Sequence, residues 1–406
     1  MSTSTRSGAP TKTGGRTILR LATAGSVDDG KSTLVGRLLY DTNSVLTDTL
    51  DHVQQVSKRK GLASADLALL TDGLRAEREQ GITIDVAYRY FATPARKFIL
   101  ADCPGHVQYT RNTVTGSSTA DVIVLLVDAR NGVVEQTRRH LAVASLLRVP
   151  HVVLAVNKID LVDYSEQRFS EIATEFALLA RSLNVPDIHC IPVSATEGDN
   201  VAIRSDRMPW YDGPTVLGYL ENVDTTPLTT FSDLRFPVQQ VVRPQTAELA
   251  PWASRTPSLT PDYRGYAGQL ASGKVRVGEE IVVLPRGSHA TVVGIDTADG
   301  PLEVAVAGQS VVLRLSTDID ISRGDLIAGT DAPPAPVREI SATVSWLTDR
   351  ELTVGARVLV QHGTAVTKGL VRAIEAKLDL GDTGEHPVWV DADALALNDL
   401  ARVRIA

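Results

Sequence analysis

A doubly wound α/β domain with a mostly parallel sheet, followed by two small antiparallel β-barrels, is the fold the sequence predicts. Three observations carry it. Residues 25–32 read Gly25-Ser26-Val27-Asp28-Asp29-Gly30-Lys31-Ser32, which fits G-x-x-x-x-G-K-[ST]. Short apolar runs alternate with helical patterns through 17–222. After about residue 230 the helical patterns give way to short strand-like pieces punctuated by glycine.

The elements follow in order. The alternating apolar run over 17–24 (TILRLATA) predicts a strand, and 32–40 (STLVGRLLY) predicts a helix. Between them the glycine-rich run is placed at a helix N-terminus, where unpaired N–H groups and the helix dipole favour anions. Further strands are predicted at Lys97–Ala101, Val122–Val127, His151–Val156 and Ile188–Val193, each nearly continuous in apolar residues, as parallel strands buried on both faces are. Before the last of these, Asp163 and Glu166 read as a capping box. It opens a helix with one apolar stripe of Phe169, Ile172, Ala173, Phe176, Leu179, Ala180 and Leu183. The second block predicts strands at Pro237–Val242, Val275–Val277, Glu280–Leu284, Ala290–Ile295 and Ser310–Leu315, interrupted by a Pro-rich loop over 246–261. Pro333, Pro334 and Pro336 mark a linker, and 340–406 again reads as β-rich. The expected organisation is a disordered tail over 1–16, an α/β domain over 17–229, a barrel over 230–332 and a second, shortened barrel over 333–406.

Bulk composition sets limits. The 406 residues carry a net charge of -7, which gives no support for broad nucleic-acid binding through a basic surface. The two cysteines, Cys103 and Cys190, suggest neither a disulfide framework nor a Cys-based metal site and fit a reducing cytoplasm. No apolar run approaches the ~18 residues of a membrane span, and the Ser/Thr/Gly-rich N-terminus lacks an apolar signal core.

The motifs point to a nucleoside triphosphate and then choose it. Backbone N–H groups of Gly25–Ser32 can cradle phosphate oxygens, Lys31 can reach the β- and γ-phosphates, and the Ser32 hydroxyl can hold Mg²⁺. Asp102-Cys103-Pro104-Gly105 closes a predicted strand: Asp102 can hold Mg²⁺ through water, and Gly105 lets a backbone N–H approach the γ-phosphate. Asn157-Lys158-Ile159-Asp160 is an NKxD signature. The Asp160 carboxylate can accept from guanine N1–H and its exocyclic amine, a donor pair adenine lacks. Ser194-Ala195, after the next strand, fits the last base-contacting loop. Every motif lies at the C-terminal end of a predicted strand, where open α/β sheets bind ligands. The reading is a P-loop GTPase domain.

Hydrolysis needs switching parts. Thr83, in Gly81-Ile82-Thr83-Ile84-Asp85, can meet Mg²⁺ on the γ-phosphate side, making 72–85 a segment ordered by GTP. The charges of Arg75-Ala76-Glu77-Arg78-Glu79 equally describe a solvated helix. His106 follows the Asp-x-x-Gly motif, where a Gln orients the attacking water in Ras-like proteins, and is the candidate catalytic residue. Asp28 and Asp29 place two carboxylates beside phosphates. Either a cation or Lys31 offsets them, or they cap the turn or face solvent.

The His after Asp-Cys-Pro-Gly resembles the translation-factor class of GTPases, with its two β-barrels. Longer stretches narrow this: GSVDDGKSTLVGRLLYDT (25–42), DGLRAEREQGITIDVAYRYFAT (72–93), ADCPGHVQYTRN (101–112), VDARNGVVEQTRRH (127–140), AVNKIDLVDYSE (155–166), MPWYDGPT (208–215), RGYAGQLASGKVRVGEE (264–280) and DIDISRGDLI (318–327). All resemble the large, GTPase subunit of bacterial sulfate adenylyltransferase. The resemblance implies that GTP hydrolysis drives formation of adenylyl sulfate and pyrophosphate from ATP and sulfate. The adenylyl-transfer site would lie on a smaller partner subunit in a heterodimer or higher heteromer. It implies GTP and Mg²⁺ as ligands and no membrane or nucleic-acid partner. A second Gly-x-x-x-x-Gly-Lys-[Ser/Thr] is lacking, so a fused adenylyl-sulfate kinase is not expected. The alternative is a translation-type GTPase binding tRNA; against it, the first loop reads SVDDGKST where tRNA carriers usually show HVDHGKTT-like spelling.

Overall fold

The structure, a computed structural model, describes residues 18–45, 47–59, 67–70, 85–225, 232–243, 263–381 and 386–406. The chain forms two compact units. One comprises Met1–Thr225, Thr343–Glu351 and Ala376–Ala401; the other comprises Thr226–Ala342, Leu352–Glu375 and Arg402–Ala406.

In the first unit, six strands make one sheet: β1 (Ile18–Gly25), β2 (Ala87–Ala92), β3 (Lys97–Asp102), β4 (Val122–Asp128), β5 (His151–Asn157) and β6 (Ile188–Pro192). Their order is β2-β3-β1-β4-β5-β6. All neighbours run parallel except β2, which pairs antiparallel with β3. The predicted mostly parallel sheet is therefore present. Central β4 (VIVLLVD) is buried at every residue, the consequence of helices covering both faces. The helices are α1 (Lys31–Asp41), α2 (Thr47–Arg59), α3 (Thr110–Ser117), α4 (Glu135–Leu146), α5 (Glu166–Ser182) and α6 (Val216–Asn222). Strand β2 was not among the predicted strands. It is an edge strand whose Tyr88 and Tyr90 face solvent, so it lacks the continuous apolar run of its neighbours.

Register matters for the site. Thr23 of β1 lies beside Asp102 of β3, Gly25 beside Leu126, and Asp128 of β4 beside Asn157 of β5. The motif residues thus reach the same sheet edge together.

The apolar stripe of α5 packs as predicted through Ile172, Phe176, Leu179 and Ala180. Its cap is not the predicted one. Asp163 and Tyr164 take left-handed φ angles of 55° and 53°, closing the preceding turn. Ser165 is the N-cap, and its hydroxyl accepts from the Arg168 N–H at 3.2 Å. Two residues of tight turn shift the helix start, which spacing alone does not reveal.

Also within this unit, two arginines anchor the late segments of the chain. Arg111 of α3 donates to the Leu347 carbonyl at 3.1 Å, and Arg138 of α4, fully buried, donates to the Leu380 carbonyl at 3.1 Å.

The second unit is β-rich, as the glycine-punctuated pieces predict. Its strands are β7 (Arg235–Val242), β8 (Gly265–Gln269), β9 (Lys274–Arg276), β10 (Glu280–Leu284), β11 (Ser288–Thr297), β12 (Gly300–Leu302), β13 (Val304–Val306), β14 (Ser310–Leu315) and β15 (Leu326–Gly329). Seven follow the order β10-β15-β7-β8-β14-β11-β12, and β10 also pairs with β11. That extra pairing closes six strands into an antiparallel barrel and removes their free edges. Phe236, Val238, Tyr266, Ile281, Val292, Ile295, Leu313 and Ile327 fill its interior. Further along, Arg357–His362 pairs antiparallel with Ala365–Leu370 in the same unit, and Lys377–Asp379 pairs antiparallel with Val388–Val390 in the first. The last block is β-rich, consistent with a second barrel. The tail over 1–16 and the loop over 246–261 lie outside the described residues. Among the described residues no helix is long and apolar enough to cross a membrane.

Ser165→Ala should cost about 1 kcal/mol in urea unfolding, because one N-terminal donor of α5 loses its acceptor. Ser165→Asp, which keeps an acceptor, should recover most of that stability.

Candidate functional site

The loop from β1 to α1 is built by two left-handed residues. Asp28 has φ 71° and Gly30 has φ 88°. Gly30 is required twice over: its φ favours glycine, and a Cβ there would lie 2.3 Å from Asn157 Nδ2. Helix α1 then starts at Lys31, so the first-turn N–H groups of 31–33 open toward the loop.

Lys31 and Asp102 meet directly. The Lys31 ammonium lies 2.5 Å from Asp102 Oδ1, with both side chains buried, and the Thr23 hydroxyl donates to the same oxygen at 3.3 Å. Gly105 sits against the loop from the other side. A Cβ on it would be 2.5 Å from the Gly25 carbonyl oxygen, so only glycine allows the two backbones this approach. The intervening Cys103 is fully buried, and burial pushes its thiol up to about 12, a packing role rather than a chemical one.

Asn157 joins the motifs. Its Nδ2 donates to the Asp29 carbonyl at 2.7 Å, and its Oδ1 accepts from the Ala195 N–H at 3.0 Å. One buried amide thereby ties the first loop, the strand β5 end and the Ser194-Ala195 loop. Lys158, at φ 58°, donates to the Asp28 carbonyl and pairs with Asp128 Oδ2 at 3.0 Å. Asp160 is the second residue of the short 3-10 turn Ile159–Val162 and is partly exposed. Arg37 of α1 reinforces the third loop by donating to the carbonyls of Ala195, at 3.2 Å, and Thr196.

Sequence reasoning missed Asp128. It ends β4, is 2 % exposed, and binds Arg130 at 2.6 Å as well as Lys158. Burial raises its pKa, but the Arg130 and Lys158 contacts outweigh that and hold the carboxyl at about 2. The signal was present as an acidic residue at a strand end with Arg two residues later.

His106 is partly exposed after β3. Its Nδ1 accepts from the Gln108 N–H at 3.3 Å, and its ring lies 6.0 Å from that of Tyr109. Thr83 and the charged segment over 75–79 lie outside the described residues. The two adjacent acids differ. Asp28 is exposed, whereas Asp29 is 4 % exposed and turned back into the loop, its Oδ2 accepting from the Ser26 N–H at 2.6 Å. Val27 is exposed at the loop's outer face, and Ser32 is partly exposed in the first turn of α1. Among the described residues no cluster of three or more His, Cys, Asp or Glu could hold a metal by itself.

A family model described as the elongation factor Tu GTP binding domain matches residues 16–249. A protein named sulfate adenylyltransferase subunit 1 from Bacteroides fragilis (strain YCH46) is 48% identical over 388 residues, covering 95% of this chain and 78% of the relative. The chain belongs to the sulfate adenylyltransferase subunit 1 family, within the elongation factor Tu type of GTP-binding domain. A protein of Mycobacterium tuberculosis (strain ATCC 25618 / H37Rv) named bifunctional enzyme CysN/CysC is 50% identical over 390 residues. The chain spans 61% of that relative's length. Among solved structures, the S. cerevisiae Ski7 GTPase-like domain bound to GTP matches with TM-score 0.50 and 20% identity, covering 96% of this chain and 89% of that one, a likeness of fold.

Two substitutions check this geometry. Gly105→Ala should lose about 2 kcal/mol of stability, since its Cβ and the Gly25 carbonyl must separate. Asp128 has a folded pKa of about 2, below its ordinary 3.8, so its charge stabilises the fold above pH ~4 and stops doing so as pH falls toward 2. Asp128→Asn should therefore cost about 2 kcal/mol at pH 7 and much less near pH 2, read by chemical unfolding at both.

Proposed function

We propose that this chain hydrolyses GTP as the large subunit of a sulfate adenylyltransferase and couples that hydrolysis to the making of adenylyl sulfate. What supports the reading is the joining of three nucleotide motifs through the Asn157 side chain, in a member of the subunit 1 family. The functional organisation would follow 17–229 for nucleotide and 230–332 and 333–406 for two barrels.

In this reading the loop Gly25–Ser32 and the N–H of Gly105 hold the phosphates, while the Ser26 N–H stays with the Asp29 carboxylate. The Lys31 ammonium exchanges its bond to Asp102 for phosphate oxygens, which frees the Asp102 carboxylate. Magnesium fits the donors that remain: the Ser32 hydroxyl and the Asp102 carboxylate are hard oxygen ligands, and Mg²⁺ fills its shell with water and substrate phosphates instead of a full protein cage. When bound it offsets charge on the β- and γ-phosphates. Thr83 would complete the protein's share of that shell. Asp160 accepts from guanine N1–H and the exocyclic amine, with Lys158 and the Ser194-Ala195 loop framing the base. His106 orients the attacking water. Its Nδ1 accepts from the Gln108 N–H, which leaves Nε2 as the ring nitrogen that meets the water.

The output lies in another chain. On a smaller subunit, a sulfate oxygen attacks the α-phosphorus of ATP, and the bond to the departing pyrophosphate breaks. That phosphosulfate product is high in energy, so the step needs driving. GTP-bound and GDP-bound forms must then differ in affinity for the partner's states.

The carrying test is GTP turnover with and without the smaller subunit, ATP and sulfate. Turnover should rise at least tenfold with all three present; indifference to them would defeat the coupling. His106→Ala should lower kcat by ~10²-fold, the usual worth of a positioned acid–base group, with little change in KM. Asp160→Asn should narrow the preference for GTP over ATP by at least roughly tenfold, since its lost acceptor was the discriminating one.

A further inference from the structure

We infer that Asp29 is a positioning residue that holds the phosphate-binding loop in its working shape. Its role is internal to the loop, distinct from the phosphate, magnesium and base contacts above. The inference deepens the GTPase reading and rests on it only for its nucleotide readout.

Asp29 and Ser26 bond reciprocally. The Asp29 N–H donates to the Ser26 carbonyl at 3.3 Å, and the Asp29 carboxylate accepts from the Ser26 N–H at 2.6 Å. The backbone N–H of Asp128, at the end of β4, supports the same carboxylate. The Asp29 carbonyl is meanwhile fixed by Asn157. One residue thus ties the loop to itself through its side chain, to β4 through the same carboxylate and to β5 through its main chain. Between Ser26 and Asp29, Asp28 bears the left-handed φ of 71°, a conformation that non-glycine residues adopt at a cost. The Asp29 carboxylate closes the ring around that unfavourable residue.

Such a brace is costly to bury. Facing Asp29 are the Asp128 carboxylate on β4 and the Lys158 ammonium after β5, with Asp28 and Lys31 as its charged neighbours on the loop. Burial pushes its carboxyl up to about 6; the Ser26 and Asp128 N–H groups and Lys158 pull it down, and the Asp128 charge adds to the rise. A group held this way destabilises the fold when ionised, so a chain needing only a turn has no reason to keep it. The loop geometry is the reason to keep it. The arrangement also explains how an acid tolerates a phosphate site. Its charge faces the N–H donors of Ser26 and Asp128, which weakens the repulsion a free carboxylate would exert on a triphosphate.

The test compares the wild-type full chain with Asp29→Asn and Asp29→Ala, using GDP as titrant and amide hydrogen exchange at Ser26. Asp29→Ala should speed exchange at Ser26 and weaken GDP roughly ten- to hundredfold, the worth of one charge-assisted hydrogen bond. Melting without nucleotide supplies the discriminating readout. The folded pKa is raised, so wild type should gain stability relative to Asp29→Asn as pH falls from 7.5 to 5. Unchanged protection of Ser26 in both variants, or a melting difference that ignores pH, would overturn the inference. If Asp29→Ala fails to fold, the Asp29→Asn exchange and melting data decide. If wild type binds no GDP, the GTPase reading fails, and exchange and melting still decide the role of Asp29.

Discussion

The Asn157 amide is the interaction on which the site depends. A parallel sheet delivers its strand ends to one edge, but it does not fix the loops that follow them. Asn157 does so with one donor and one acceptor, to Asp29 and Ala195, in a buried setting where leaving either unmade is costly. Gly30 is small because that amide occupies the space a Cβ would need. Remove the amide, and the β1–α1 loop, the Ser194-Ala195 loop and the start of α1 lose their common reference.

Around that bond, charge and close packing divide the work. Asp102 with Lys31, and Asp128 with Lys158 and Arg130, place carboxylates at the ends of β3 and β4 next to cations held by neighbouring segments. The Lys31–Asp102 pair is buried on both sides, so each partner is committed to the other, and the Asp128 carboxylate is buried against cations that reach it from the surface. Gly105 against Gly25 does the same by shape, two main chains in contact with no side chain between them. A site meant to exchange one anion for another needs such a frame. The charges that a phosphate and its cation would take over are already paired and positioned.

Much of this was legible in one dimension. A triphosphate loop requires glycine, lysine and a hydroxyl at set spacing, and a parallel sheet buried on both faces requires runs such as VIVLLVD. Both are local constraints that leave a local trace. The closed barrel was legible for a related reason, as short strands and glycine turns announce antiparallel neighbours. What left no clear trace was set by exposure or by partners distant in sequence. Edge strand β2 has one solvated face, the true cap of α5 lies behind two left-handed residues, and the Asp128 carboxylate is shared with Lys158 thirty residues on.

By itself, then, the sequence determined the fold class, the family and the set of motifs at the strand ends, because residue type and spacing along the chain suffice for each. Tertiary structure decided which groups touch: that Lys31 pairs with Asp102, that Asn157 binds two loops, and that Asp29 turns inward while Asp28 faces water. Those choices depend on strand register and on burial, quantities that exist only once segments far apart in sequence have packed together.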